Sequence, residues 1–553
     1  MKKSLAFYLL AVAAFLGVQA MQGLSFLDIG MYMSGYEHFP SDPGMTAYLG
    51  QWIATYLLTG QILAWTDANS FMALRVMHIA LLLCLQAVIF LSLRRYLRER
   101  ILFIGLTLAT LAHFGSYLDI NYNDYSTTLL VLIILTLHRG LFAHRRSIWL
   151  LMAGVLTGFS FYFRIVNITF LLLPFVGLLL GKRYKLNIPI AKYLLVFGSG
   201  TLAGCLLMTG YLWVSGGREM LAVWTFTLNC LFSMGTDSAD PHSLKAVAIG
   251  LYTTYKAYFT QACVGAGFLL LLTIASCKLQ RTYKLLAVVT LGACIIVNIY
   301  LWEPIGSVMG AFCLLGLVAL IAGVRLSPET DVLFLLSLFV PLVYPIGSNG
   351  GLDFLGQCLF FLPLPLAMAY LFELPDKLPQ AYRHSFSHAL HITIGTMVIT
   401  LLFVNVKRPM MEEGNRLECR YTVESPLTHH IYTTRANADL HNRLLKELKP
   451  LVPKGSYMVC NFSLPLISML ECKPYAVFSD VFTSDQMNLR YISIAEKGLL
   501  TQEPTQQARE QQVLMLVDRQ SMTDGFESVC RRLCKRNGYK TVWSDGRYEL
   551  WKK

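Results

Sequence analysis

From Leu5 to about Val406 the chain repeats one pattern, an apolar run of about 17–25 residues followed by short polar punctuation. Such runs suit helices that cross a bilayer, which need ~20 residues to traverse ~30 Å of hydrocarbon. The pattern predicts spans over 5–24, 71–93, 101–117, 125–137, 147–163, 164–180, 193–214, 257–276, 285–302, 305–324, 331–346, 354–372 and 388–405, about thirteen in all. After Lys407 the runs stop and charge becomes dense. There the pattern predicts a helix over 438–448, strands over 457–460, 475–478 and 512–517, a helix over 525–536, and strands over 541–543 and 548–551. Strands alternating with helices point to a small α/β sheet of parallel type. The expected organisation is a polytopic α-helical membrane domain, 1–406, and a C-terminal soluble α/β domain, 407–553.

Charge orients these spans. Lys2 and Lys3 precede the first run, and Arg94–Arg100, His144–Arg146, Lys182–Lys185 and Lys278–Lys284 all fall on the same side as they do. The positive-inside rule makes that side cytoplasmic. The opposite loops, 25–46, 118–124, 216–243 and 347–353, hold one Arg, no Lys and several carboxylates. An odd number of spans then sends the C-terminal domain outside, to the periplasm if the membrane is a bacterial inner membrane. The small residues Gly17, Ala20 and Gly23 would suit a cleaved signal peptide, but the length of the run and the spans after it favour an uncleaved first helix. Met45–Trp65 is apolar enough to span, yet counting it would invert every later loop. It is expected as a helix lying on the outer interface, where Tyr48, Trp52, Tyr56 and Trp65 suit the depth.

Composition narrows the class. Of 553 residues 55% are hydrophobic and 14% charged, against about 25% charged in soluble proteins, which argues against a water-soluble enzyme. The net charge of +13 does not imply a nucleic-acid partner: half of the basic residues sit in the short loops, and after residue 406 22 Lys and Arg are interspersed with 17 Asp and Glu. Thirteen Cys are too few for a disulfide scaffold. Cys460 and Cys472 could bridge in an oxidising compartment. Cys530 and Cys534 lie four apart on a helix, a spacing suited to packing, and no His stands at zinc-site spacing from them.

Ionisable residues at a lipid interface are costly and call for a reason. The first outer loop places Asp28, Glu37, His38 and Asp42 within fifteen residues, with Asp28 about four residues past the first span. A carboxylate at that depth can take a proton from an acceptor while a lipid-linked donor is held in the bilayer. The plain alternative is a solvated loop turned by Pro40, Pro43 and Gly44. Further candidates line the same side: Asp119, Asn121 and Asp124 in the Tyr117–Tyr125 loop, Ser348 and Asn349 in Tyr344–Asp353, Arg164 at a span's end and Arg218 after Gly216-Gly217. Arg75, near the start of a span, is expected either to bind substrate or to pair with loop carboxylates and fix the site.

Leu27-Asp28-Ile29-Gly30-Met31-Tyr32, then Asp42-Pro43-Gly44-Met45, then Ala73-Leu74-Arg75-Val76-Met77-His78 follow one another in order. This succession resembles the N-terminal signature of GT-C glycosyltransferases, the group that holds protein O-mannosyltransferases and the lipid A aminoarabinose transferase. Gly154–Arg164 is similar to the group's Gly-rich helix ending in a basic residue. The motifs cover roughly residues 5–180, and their specificity lies in their order. The resemblance implies an inverting transferase using a polyprenyl-phosphate-linked sugar, with Asp28 as general base and a glycan, lipid or protein as acceptor. Arg164 and Arg218 would meet the leaving phosphate, whose charge an Arg fork engages through two oxygens. Mannosyltransferase-like members carry Asp-Glu in the first loop, whereas here Ile29 follows Asp28, so mannosyl specificity does not carry over.

Asp28, Glu37, His38 and Asp42 could ligate a divalent ion, as in oligosaccharyltransferase relatives, but no spacing demands one; no metal and no cofactor are expected. The rival reading is a transporter or flippase of lipid-linked glycans. Such proteins show internal repeats and midplane polar residues, whereas here ionisable residues gather at one face and the halves show no similarity.

Overall fold

A computed structural model describes the chain except residues 1, 25–27, 42–51, 114–117, 235–243, 280, 303–304, 345–358, 408–413, 461, 475–512 and 521–537. The membrane domain comprises α1 (Lys2–Ala20), α2 (Asp28–His38), α3 (Ile53–Thr66), α4 (Phe71–Leu93), α5 (Glu99–Ala112), α6 (Tyr122–Phe142) and α7 (Arg146–Phe163). A 3-10 segment, Ile165–Leu172, leads into α8 (Leu173–Arg183), followed by α9 (Ile190–Met234), α10 (Leu244–Lys278), α11 (Arg281–Trp302) and α12 (Ile305–Ile321). Then come α13 (Pro328–Ser337), α14 (Phe339–Val343), α15 (Pro363–Glu373) and α16 (Gln380–Lys407). Among the described residues eight helices are long and apolar enough to cross a membrane and two shorter apolar helices accompany them, against the thirteen or so spans predicted. The protein is an integral membrane protein.

Glycine permits a close helix contact between α7 and α9. Gly154 and Gly158 on α7 are four apart, hence on one face, as are Gly200 and Gly204 on α9. A β-carbon at Gly158 would lie 2.3 Å from the Thr201 carbonyl oxygen, and one at Gly204 would lie 2.3 Å from that of Val155. Only hydrogen side chains permit this backbone approach, the small-residue packing of membrane helices. At Gly216-Gly217 the predicted 193–214 span kinks rather than ends, Gly217 taking φ 59°, and helix resumes to Met234.

The C-terminal domain holds α17 (Arg435–Leu448), β1 (Tyr457–Cys460), α18 (Leu464–Met469), β2 (Lys473–Pro474), β3 (Val513–Asp518), β4 (Lys540–Ser544) and β5 (Tyr548–Lys552). The sheet order is β2-β1-β3-β5-β4. β1 runs parallel to β2 and β3, but β5 is antiparallel to both β3 and β4, so the sheet is mixed rather than parallel. The reason is local: the short Asp545–Arg547 connection, with Gly546 at φ 92°, can only return an antiparallel strand. Arg547 clamps the turn, donating from Nη2 to Asp518 Oδ2 at 2.8 Å and from Nε to Oδ1 at 3.1 Å. Cys460 and Cys472 are both buried and are not joined to each other, so the bridge that the sequence allowed is absent. The strand expected at 475–478, the helix at 525–536 and the Cys530–Cys534 pair lie outside the described residues.

Two apolar cores result. One fills the membrane bundle, around Leu85, Phe90, Leu102, Ile133 and Phe334. The other runs without interruption from Ile29, Tyr36 and Tyr56 on α2 and α3 into Leu444, Leu464 and Leu514 of the C-terminal domain. Polar stitches join the same parts: Gly23 N–H donates to the Tyr432 carbonyl and Tyr432 N–H to that of Met21, both at 2.8 Å.

Candidate functional site

The face opposite the basic loops gathers the loop between α5 and α6, the ends of α1 and α7, and all of α2. Asn121, extended at φ −146°, caps α6: its Oδ1 accepts from Asn123 N–H at 2.8 Å, while Asp124 Oδ2 accepts from Asn121 N–H at 2.9 Å. This reciprocal cap fixes the loop on which Asp119 sits, and Asn121 Nδ2 donates back to the Asp119 carbonyl at 3.1 Å.

Arg75 lies on the second turn of α4 and is fully enclosed. Its Nε donates to Asp119 Oδ1 at 3.1 Å, Nη1 to the Ala20 carbonyl at 2.5 Å and Nη2 to the Gly23 carbonyl at 2.8 Å. The guanidinium therefore neutralises a buried carboxylate and caps the carbonyl end of α1 together. Asp119 Oδ2 has no hydrogen-bond partner among the described residues, leaving a buried acceptor on this face.

One turn beyond Arg75, His78 Nδ1 lies 3.0 Å from Asp124 Oδ2, and its Nε2 lies 2.9 Å from Nε2 of His113. Such a contact requires one ring to carry the hydrogen and the other to accept it. All three side chains are buried, so Asp124 serves at once as helix cap and as partner of a histidine pair. Around them α2, α3 and α6 meet through aromatic rings: Trp52 stacks on Tyr122 at 4.6 Å, Tyr32 meets Tyr122 edge-on at 6.3 Å, and Tyr36 donates its hydroxyl to the Ile120 carbonyl at 2.6 Å.

Arg164 leaves α7 in extended backbone, φ −159°. Its guanidinium lies 4.7 Å over the Tyr344 ring, and Nη1 donates to the Tyr344 carbonyl at 3.1 Å. Tyr344 in turn donates its hydroxyl to Asn123 Oδ1 at 2.8 Å. Residues 75, 119, 121, 124 and 164, scattered in sequence, thus meet in one polar layer. Arg218 is exposed beyond the α9 kink and stands apart from it. Asp28 is the first residue of α2. Glu37 and His38 close that helix beside the C-terminal domain. Desolvation, reinforced by the Lys473 ammonium, pushes His38 down to about 4, so at neutral pH its 3.7 Å approach to Glu37 Oε2 is no ion pair. Asp42, Ser348 and Asn349 lie outside the described residues. Among the described residues no three His, Cys, Asp or Glu side chains converge at metal-binding distance.

No family model and no curated protein matches the chain. Two solved structures are similar to it along its whole length. The crystal structure of ArnT from Cupriavidus metallidurans bound to undecaprenyl phosphate has a TM-score of 0.43 and 11% identity, covering 100% of this chain and 98% of that one. The crystal structure of the same protein in the apo state has a TM-score of 0.39 and 12% identity, with coverage of 100% and 98%.

The sequence offered little toward His113, an isolated histidine at the end of an apolar run. His78 carried a signal, since it lies three residues after Arg75 on the same helical face. Tyr344 was visible only as the first residue of a turn-rich loop.

Proposed function

We propose that the protein is a membrane glycosyltransferase that moves a sugar from a polyprenyl-phosphate-linked donor to a glycan, lipid or protein acceptor. The reading rests on the ordered motifs of residues 27–78 and 154–164. The observation that carries it is the meeting of Arg75, Asp119, Asn121, Asp124 and Arg164 in one buried polar layer on the face where α2 begins with Asp28. A carrier would need polar groups at the bilayer midplane; the network described above sits at one face.

In the proposed reaction Asp28 accepts the proton of the acceptor's nucleophile as that atom bonds to the anomeric carbon. The glycosyl–phosphate bond breaks from the opposite side, inverting the centre, and polyprenyl phosphate leaves with the bonding electrons. Arg164, and Arg218 from the far side of the α9 kink, stabilise the charge that develops on the phosphate. Glu37, His38, Asp42, Ser348 and Asn349 complete the substrate-facing surface, while the buried Asp119, Asn121 and Asp124 form the layer behind it that Arg75 holds in place. The protein resides in a bacterial inner membrane, with its N-terminus cytoplasmic and residues 407–553 in the periplasm.

The test is Asp28→Asn. It keeps size and hydrogen bonding but cannot take a proton, so turnover of the lipid-linked donor falls by ~10²–10⁴ while donor binding and thermal unfolding stay near wild type. Arg164→Ala instead weakens donor binding. Wild-type turnover by Asp28→Asn would remove the base assignment.

A further inference from the structure

The helix that opens with Asp28 is held from two sides. Toward the membrane domain it presents Tyr32 and Tyr36, which pack on Tyr122 and Tyr56. Toward the C-terminal domain it presents Gly30 and Ser34, four residues apart and so on one face. A β-carbon at Gly30 would lie 2.1 Å from both the Leu464 carbonyl carbon and the Pro465 nitrogen. These are backbone atoms at the start of α18 and cannot swing aside. One turn further on, the buried hydroxyls of Ser34 and Ser468 are 2.8 Å apart and hydrogen-bonded. α18 is itself anchored from behind, because Ser463, the residue before it, lies with its Oγ 3.0 Å from His441 Nε2 on α17.

We infer that α18 is a platform on which the C-terminal domain seats α2, making Gly30, Ser34, Pro465 and Ser468 positioning residues for Asp28. The role given to Asp28 rests on the transferase reading; the seating itself does not. Two apolar surfaces packed by chance would tolerate a methyl group. Here the contact is backbone against backbone through a glycine, with a buried hydroxyl pair that fixes sliding along the helix. A displacement of the helix by 1 Å moves residue 28 with it, and misplacement on that scale can cost about 10²-fold in rate. On the transferase reading, these four residues act on catalysis through the position of Asp28.

The experiment uses the full-length protein in nanodiscs. Under mild oxidation Ser34→Cys/Ser468→Cys forms a disulfide that neither single variant forms, because hydroxyls in contact place the β-carbons near disulfide spacing. In an Asp28→Cys background, the rate at which N-ethylmaleimide alkylates residue 28, read by mass spectrometry of its peptide, reports the helix's position. Gly30→Ala changes that rate several-fold. Ser468→Ala, which leaves every backbone atom in place, changes it in the same direction by less, and the 34–468 disulfide returns it to the parent value. Absence of the cross-link, or an unchanged rate in both Gly30→Ala and Ser468→Ala, overturns the platform. Binding of undecaprenyl phosphate by the wild type is measured separately: its failure counts against the donor reading, while the cross-link and alkylation results still decide the platform.

Discussion

Arg75 shows how far a single residue can organise an interface. Its three acceptors come from α1, the segment after it and the α5–α6 loop, so Arg75→Met strands the Asp119 carboxylate in a fully enclosed site. Removing one partner of a buried pair costs about 3–5 kcal/mol, and the expected result is a large fall in the unfolding temperature of the detergent-solubilised protein. His38 gives the pH-dependent case. Its folded value of about 4 lies below the ordinary 6.5, so between those values the unfolded chain binds more protons. Stability from this group is therefore complete above pH 6.5 and declines as pH falls toward 4. His38→Gln should flatten the loss of thermal stability over that window; a variant with the wild-type slope would show that His38 is not its source. Residues such as Arg75 and Asp119 were legible because charge beside lipid is expensive. His113 was not, since a histidine at the end of an apolar run gives no hint of a second ring 2.9 Å away.

At the scale of elements, hydropathy locates helices and glycine and proline decide their shape. The span predicted over 71–93 coincides with α4, where Ser70 supplies the cap. The one predicted over 331–346 divides into α13 and α14, because Pro341 has no N–H to give the Ser337 carbonyl four residues back. The span expected over 164–180 starts as a 3-10 segment and becomes α-helical at Leu173, with Pro174 in its first turn. Both breaks have a sequence signal, which an apolar average hides. The direction of β5 could not be taken from strand and helix alternation, because it depends on the length of the turn before it. The α7–α9 contact gives the sharpest element-scale test. Gly158→Leu must push a side chain into the Thr201 carbonyl, and overpacking of this kind costs about 1–3 kcal/mol or more. Lower expression and a lower unfolding temperature are expected, whereas Gly210→Leu, with nothing within 4 Å of its β-carbon, should be tolerated.

For the whole molecule, the proposed orientation predicts that a reporter fused after Lys553 is active outside the cytoplasm and one inserted between Arg94 and Arg100 is active inside. Activity of both on one side would refute it. The order of synthesis adds a consequence of the way α1 ends. Gln19 donates from Nε2 to Asn405 Oδ1 at 2.8 Å, its carbonyl accepts from Arg416 Nη1 at 3.3 Å, and Met21 and Gly23 pair with Tyr432. The end of α1 is thus completed by residues translated some four hundred positions later. A ribosome that stalls before then releases a chain whose spans are inserted but whose residues 19–23 have none of these partners. Such a truncated chain is therefore expected to be open at the segment leading into the helix that begins with Asp28, and limited proteolysis of it should cut there first.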